Sequence, residues 1–321
     1  MAYQPKKFVL PADGVLKKSG AHNPYVFNDR IAVAVDVALA TNRPLLVSGV
    51  PGCGKSALAP AMARVLGYRY LATTLTSRTR LGDLTSEVDQ LRRLHDAQLG
   101  RGNLPPAWTY EEPGLLWWAL NPASARLRGQ SETAVANQER DGKAPDGTRT
   151  ASLYVPPVEP PTRGDGPDVV LLLDEIDKAE PDLPNDLLEP LDVCRFNRPQ
   201  GGGTVSAPKG FSWLVIITTN GERELPPAFV RRCITLELEE PGADELVDIG
   251  KKHFARVRVA LLRAVADKVV SLRDEAAKSG RRAPATSEFL DAVRACADLG
   301  VTPESAVWAE VERVTLQKDN L

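Results

Sequence analysis

The sequence predicts an α/β fold, a doubly wound parallel sheet with helices on both faces, plus a small C-terminal all-helical domain. Three observations carry that expectation. Apolar strand patterns alternate with helical periodicity as far as about residue 240, and this alternation implies a parallel sheet with right-handed crossovers. A glycine-rich loop at residues 49–56 joins the first such strand to the helix after it. Beyond about Pro241 only helical patterns remain.

In chain order, residues 1–22 mix Lys, Gly and Pro and read as an N-terminal arm. Asn28 is placed to cap a helix running to about Thr41, with Ile31, Val35 and Leu39 on one face. Pro44 to Ser48 is a short buried-strand pattern, and Lys55 to Leu66 an apolar-periodic helix. Residues 69–76 read as a second strand, Glu87 to Asp96 as a helix, and Gly114 to Leu120 as an apolar patch in which Trp117 and Trp118 plug the core. The stretch 121–167 is rich in Asn, Gly, Arg, Pro and Ser and ends in a proline run, so it is expected to be a mobile surface insertion. A buried strand at Val169 to Leu173 follows, then a helix near Leu183 to Val193. Gly201 to Gly203 turns between two strand-like pieces, and another buried strand spans Trp213 to Thr219. The domains expected are 1–22 (arm), 23–240 (α/β) and 241–321 (helical).

The chain has 321 residues, enough for about two domains at roughly 150 residues each. Hydrophobic residues make up 43% and charged residues 26%, a globular balance that excludes global disorder. The net charge of −2 argues against a constitutive DNA-coating role. Apolar runs fall far short of the ~20 residues that span a bilayer, so no membrane insertion is expected. The first residues lack the apolar stretch of a secretory signal. Four scattered cysteines and three histidines form no zinc spacing and no disulfide framework, which points to the reducing cytoplasm.

Three motifs carry chemistry. Gly49-Val50-Pro51-Gly52-Cys53-Gly54-Lys55-Ser56 satisfies G-x-x-x-x-G-K-[ST] at every fixed position, between a predicted strand and a predicted helix. Gly49, Pro51, Gly52, Cys53, Gly54, Lys55, Ser56 and Ala57 are the expected nucleotide-binding residues. Backbone N–H groups wrap the phosphates, Lys55 reaches the β/γ oxygens, and the Ser56 hydroxyl ligates Mg2+. Cys53 reads as a small residue packing inside the loop, with a redox-sensitive thiol as the alternative. The second motif is the strand ending in Asp174-Glu175: Asp174 holds the magnesium through its waters and Glu175 polarises the attacking water. The third is the strand ending at Asn220, which orients that water near the γ-phosphate.

These pieces in this order, ahead of an all-helical tail, resemble an AAA+ ATPase, and within that class the MoxR-like branch of the dynein-related type. Asp174-Glu175-Ile176-Asp177-Lys178-Ala179 and Leu187-Leu188-Glu189-Pro190-Leu191 are similar to that branch's D-E-I-N-[RK]-A and L-L-E-x-M. Thr219-Asn220, followed by Leu225-Pro226-Pro227-Ala228-Phe229-Val230-Arg231-Arg232-Cys233, is similar to A-T-x-N…L-P-E-A-x-L-D-R-F. The resemblance covers residues 23–120 and 168–300. It implies an AAA+ core with an α-helical lid, Mg-dependent ATP hydrolysis, and a homo-oligomeric ring, typically of six subunits. It also implies chaperone-like remodelling of a protein partner, often beside a von Willebrand factor A-type domain protein. Arg232 falls on the arginine finger that reaches a neighbour's γ-phosphate; Arg231 stands where the family has Asp, so either arginine is a candidate. The family's lid motif G-x-S-P-R-A has no arginine counterpart in Arg281-Arg282-Ala283-Pro284-Ala285-Thr286-Ser287-Glu288-Phe289-Leu290.

Two other functions fit the same motifs. One is a nucleic-acid motor or restriction-type GTPase, supported by the ten cationic and three acidic residues between Lys251 and Arg282. That segment reads equally as a solvated helix face, and the lack of an N-K-x-D or T-K-x-D motif favours ATP. The other is a nucleotide-gated scaffold within a defence or signalling complex.

Overall fold

Five short apolar strands form one wholly parallel sheet. They are β1 (Leu45–Ser48), β2 (Arg69–Thr74), β3 (Val169–Asp174), β4 (Trp213–Thr219) and β5 (Ile234–Glu237), in the order β5-β1-β4-β3-β2. The computed structural model describes residues 3–11, 13–19, 23–98, 104–141, 155–199, 202–280, 282–303 and 305–317.

Successive side chains of a strand point to opposite faces, so a continuous apolar run buries both. Val170, Leu172, Leu214 and Ile216 face helices α1 (Asp29–Thr41) and α2 (Lys55–Leu66), meeting Ile31, Val35, Leu58 and Met62. Val169, Leu171, Leu173, Val215 and Ile217 face the other way, toward Leu116, Trp117, Leu183, Leu191 and Phe229. Trp117 and Trp118 are core residues, as their sequence context suggested. Asn28 caps α1 by accepting from the Ile31 N–H at 2.9 Å. The Glu87–Asp96 helix pattern resolves into a strand, Ser86–Val88, and a helix, Gln90–Gln98. The 183–193 helix is two pieces, Leu183–Asp186 and Leu188–Val193.

Two stretches carry more structure than their sequences state. The N-terminal arm is fastened to the core: Phe8 is buried among the α1 and α2 side chains. The carboxylate of Asp36 in α1 accepts from the Tyr3 hydroxyl (2.7 Å) and from the Lys6 and Lys7 N–H groups (3.0 and 2.6 Å). The first part of the supposed mobile insertion is helical, at Pro122–Arg126 and Glu132–Asp141. Besides Ala125 and Val135, this stretch buries a guanidinium. Arg128, fully buried, donates to the Glu111 carbonyl (2.5 Å), the Val155 carbonyl (2.6 Å) and Glu112 Oε1 (2.7 Å). Beside it Arg198 pairs with the buried Glu111 carboxylate and lies 4.9 Å over the Trp117 ring. Hydrophobic periodicity cannot reveal a segment anchored through arginine. Residues 142–154 lie outside the described residues. The proline-rich end then returns to the sheet edge, where Arg163 bridges to Tyr70 of β2.

After β5 the chain is helical: α3 (Ala243–His253), α4 (Val259–Ser279), α5 (Thr286–Leu299) and α6 (Trp308–Thr315). Leu246, Leu262, Val265, Val269, Phe289 and Val293 form its own core. Arg273 ties α4 to the connection from the sheet, donating to the carbonyls of Pro241 (2.7 Å) and Pro284 (2.8 Å). No helix among the described residues is long and apolar enough to cross a membrane.

Candidate active site

The site lies at the C-terminal ends of β1, β3 and β4, where β1 and β3 flank the later strand β4 and the strand order reverses. Such a crevice is where open parallel sheets bind ligands. The loop from β1 to α2 passes first under the chain leaving β5. A Cβ on Gly49 would stand 2.7 Å from the Leu238 carbonyl oxygen, so only glycine lets the loop approach so closely. Gly52, with φ of +82°, carries the loop's apex against the start of α5. The Ser287 N–H donates to the Gly52 carbonyl at 3.2 Å, and a Cβ on Gly52 would lie 2.8 Å from the Ala285 Cβ.

Lys55 opens α2 and is buried, 6% exposed. Its ammonium donates to the carbonyls of Gly49 (2.7 Å) and Val50 (3.0 Å), which keeps the charge satisfied inside the loop. Ser56, one residue on, donates its hydroxyl to Asp174 Oδ1 at 2.8 Å. The same oxygen accepts the Thr218 hydroxyl at 2.5 Å, while Asp174 Oδ2 takes no hydrogen bond among the described residues. Cys53 is half-buried; burial pushes its thiol up, only partly opposed by the Lys55 charge. The environment therefore favours the packing role over a reactive thiolate.

Glu175 adopts a left-handed backbone, φ 63° and ψ 53°, which turns it out of β3. Its Oε2 accepts from the Lys178 ammonium at 3.0 Å, and its Oε1 lies 3.4 Å from Asn220 Nδ2. The bond to Glu175 raises the Lys178 pKa, so that amine stays charged. Asp177, buried within the 3₁₀ turn Ile176–Lys178, accepts from the N–H groups of Asn220 (3.1 Å) and Glu222 (3.0 Å). The tips of β3 and β4 are thus stitched together.

The geometry brings together Lys55, Ser56, Asp174, Glu175 and Asn220, with the loop residues Gly49 to Ala57. It does not bring in the two arginines, which share no hydrogen bond or ion pair with those side chains. Arg232 follows the short helix Pro227–Val230 and pairs with Asp192 at 2.9 Å. Arg231 is exposed, and its side chain takes no hydrogen bond or ion pair among the described residues. Near the loop apex, the start of α5 presents Thr286 and Ser287, and Arg282 is turned to the buried Glu288 at 2.9 Å. Thr218, Asp177 and Lys178 were given no role by sequence. A hydroxyl inside an otherwise apolar strand, and a lysine three residues after the glutamate, were the available signals.

In comparison with known families, the chain is similar to the AAA domain (dynein-related subfamily) over residues 124–233. That span holds β3, Asp174, Glu175, β4, Asn220 and both arginines. The match starts within the stretch expected to be an insertion, whose helical part therefore lies largely inside the family's domain. The glycine loop precedes it. Midasin of Giardia intestinalis is 43% identical over 53 residues, covering 16% of this chain and 1% of midasin's length. Among solved structures, the RuvB Holliday junction branch migration motor of Thermotoga maritima aligns at 15% identity and a TM-score of 0.43. That alignment covers 88% of this chain and 66% of RuvB. A point mutant of the same RuvB aligns at 14% identity and a TM-score of 0.44, over 89% and 68%.

Proposed function

We propose that this AAA+ chain is a Mg2+-dependent ATPase of the MoxR-like branch, working as a homo-oligomeric ring that remodels or activates a protein partner. The observation that carries the reading is the convergence of Ser56 and Asp174, 2.8 Å apart, with Glu175 and Asn220 on the adjoining strand ends. One hydroxyl and one carboxylate suit a magnesium ion, which keeps several waters and shares its remaining positions with phosphate oxygens. When bound, that ion neutralises charge on the β- and γ-phosphates.

The chain's own residues supply the rest. Lys55 exchanges its two carbonyl partners for phosphate oxygens, and the loop N–H groups hold the remaining anionic oxygens. Glu175 takes a proton from the attacking water, and Asn220 fixes that water's position. Arg232 leaves Asp192 to meet the γ-phosphate on a neighbouring subunit, where a guanidinium spreads its charge over the transferring group. Residues 23–240 act as the nucleotide-binding domain and 241–321 as the lid, in a cytoplasmic ring of six. A von Willebrand factor A-type domain protein is the partner class favoured by the MoxR resemblance.

The test is calorimetric and enzymatic. Wild-type chain binds Mg·ATP and releases phosphate, and Lys55→Ala loses affinity by roughly tenfold or more, since it lacks the principal side-chain cation on the phosphates. Equal ATP affinity in the two proteins removes the phosphate-loop assignment.

A further inference from the structure

Beyond the residues already given roles in hydrolysis, and resting on that reading, we infer that Thr218 is the positioning residue that sets both the magnesium carboxylate and the catalytic glutamate. Thr218 lies in β4 with no exposed surface. Its hydroxyl makes two hydrogen bonds of opposite sense. It donates to Asp174 Oδ1 at 2.5 Å and accepts from the Glu175 N–H at 2.9 Å. A hydroxyl has one proton to give and lone pairs to receive, so both bonds form together. A valine of the same shape makes neither.

The first bond orients the carboxylate. Asp174 Oδ1 has two side-chain donors, Ser56 and Thr218. When Ser56 gives its oxygen to the cation, Thr218 remains as the side-chain donor that holds Asp174 in its rotamer. Groups that orient a metal-binding carboxylate in this way typically affect metal affinity or activity 10- to 100-fold, roughly. The second bond pins a backbone conformation that non-glycine residues disfavour, φ 63° at Glu175. That conformation turns the Glu175 side chain toward Asn220 and Lys178. One buried hydroxyl therefore couples the cation's position to the base's position.

The experiment uses the full chain with three substitutions, Thr218→Val, Thr218→Ala and Thr218→Ser. Binding of a non-hydrolysable ATP analogue is followed by calorimetry, in EDTA and across a Mg2+ titration, and thermal unfolding confirms that each protein is folded. Thr218→Val and Thr218→Ala keep wild-type affinity in EDTA, yet need about 10- to 100-fold more Mg2+ for half-saturation. Turnover falls over a similar range, and Thr218→Ser stays near wild type in both. Because Ala and Ser differ only by the hydroxyl, that pair decides the matter even if the Val form does not fold. Wild-type Mg2+ dependence in Thr218→Ala overturns the inference. So does a Thr218→Ser protein as impaired as Thr218→Ala, since the methyl group then does the work. A wild-type chain that binds no Mg·nucleotide overturns this inference together with the proposed function. Normal wild-type binding and turnover, with variants whose Mg2+ dependence is unchanged, overturns the inference alone.

Discussion

Glu175 is held at three points: its N–H by Thr218, one carboxylate oxygen near Asn220 and the other on Lys178. Replacing it by Gln keeps the shape and the neighbours but removes the ability to take a proton. Glu175→Gln is expected to bind Mg·ATP as wild type does and to turn over at least ~10²-fold more slowly, as measured by steady-state phosphate release. Near-normal turnover would assign water activation to another group. At this scale the candidate-site residues that the sequence singled out, and that the structure brings together, are those at a loop or strand end: Lys55, Ser56, Asp174, Glu175 and Asn220. Thr218 and Asp177 act across the gap between β4 and β3, and linear spacing does not state which strands are neighbours. The two arginines were legible as a type, yet the single subunit separates them by partner: Arg232 on Asp192, Arg231 in solvent.

Elements in this chain are anchored by polar groups as well as by apolar faces, and two variants test that. Glu111 and Arg198 are both nearly fully buried and paired, with Arg128 on the Glu111 carbonyl. Glu111→Ala leaves Arg198 buried without its carboxylate. Breaking a buried pair by removing one partner costs about 3–5 kcal/mol, which urea denaturation is expected to show. A loss below about 1 kcal/mol would mean that the Glu111–Arg198 pair does not hold its surroundings together. The N-terminal segment depends on Asp36. Burial alone would raise its pKa, but the bonds from the Tyr3 hydroxyl and the Lys6 and Lys7 N–H groups outweigh it and leave the pKa lowered. A carboxyl with a lowered folded-state pKa stabilises above its unfolded value of about 3.9, and that contribution is lost as pH falls through the folded value. Asp36→Asn is therefore expected to be less stable than wild type near pH 7, with the difference shrinking as pH drops below about 4 in chemical denaturation. A difference that grows on acidification would contradict this. The strands β1, β3 and β4 were legible because each is a nearly unbroken apolar run. The packing of the arm and of the 122–141 helices was not, since it relies partly on a carboxylate and a guanidinium that look like surface residues in a linear reading.

The whole molecule pairs a parallel sheet with a C-terminal helical region whose α5 start rests on the glycine-rich loop through Ser287 and Gly52. Both parts were foreseen from the change of periodicity near Pro241; their contact was not, because a glycine's close approach has no signature beyond the glycine itself. One subunit carries Lys55, Ser56, Asp174, Glu175 and Asn220 in one crevice and keeps Arg232 elsewhere, on Asp192. Under the proposed function, hydrolysis needs the arginine of one subunit and the crevice of the next. Arg232→Ala and Glu175→Gln homomers are then each inactive, for different reasons. Mixing them under subunit exchange, verified with labelled protein, creates interfaces with an intact Glu175 facing an intact Arg232. An arginine finger contributes on the order of 10³-fold or more to turnover, so phosphate release is expected to return well above either parent. Confirmed exchange without any recovered hydrolysis, at every mixing ratio, would contradict the shared site.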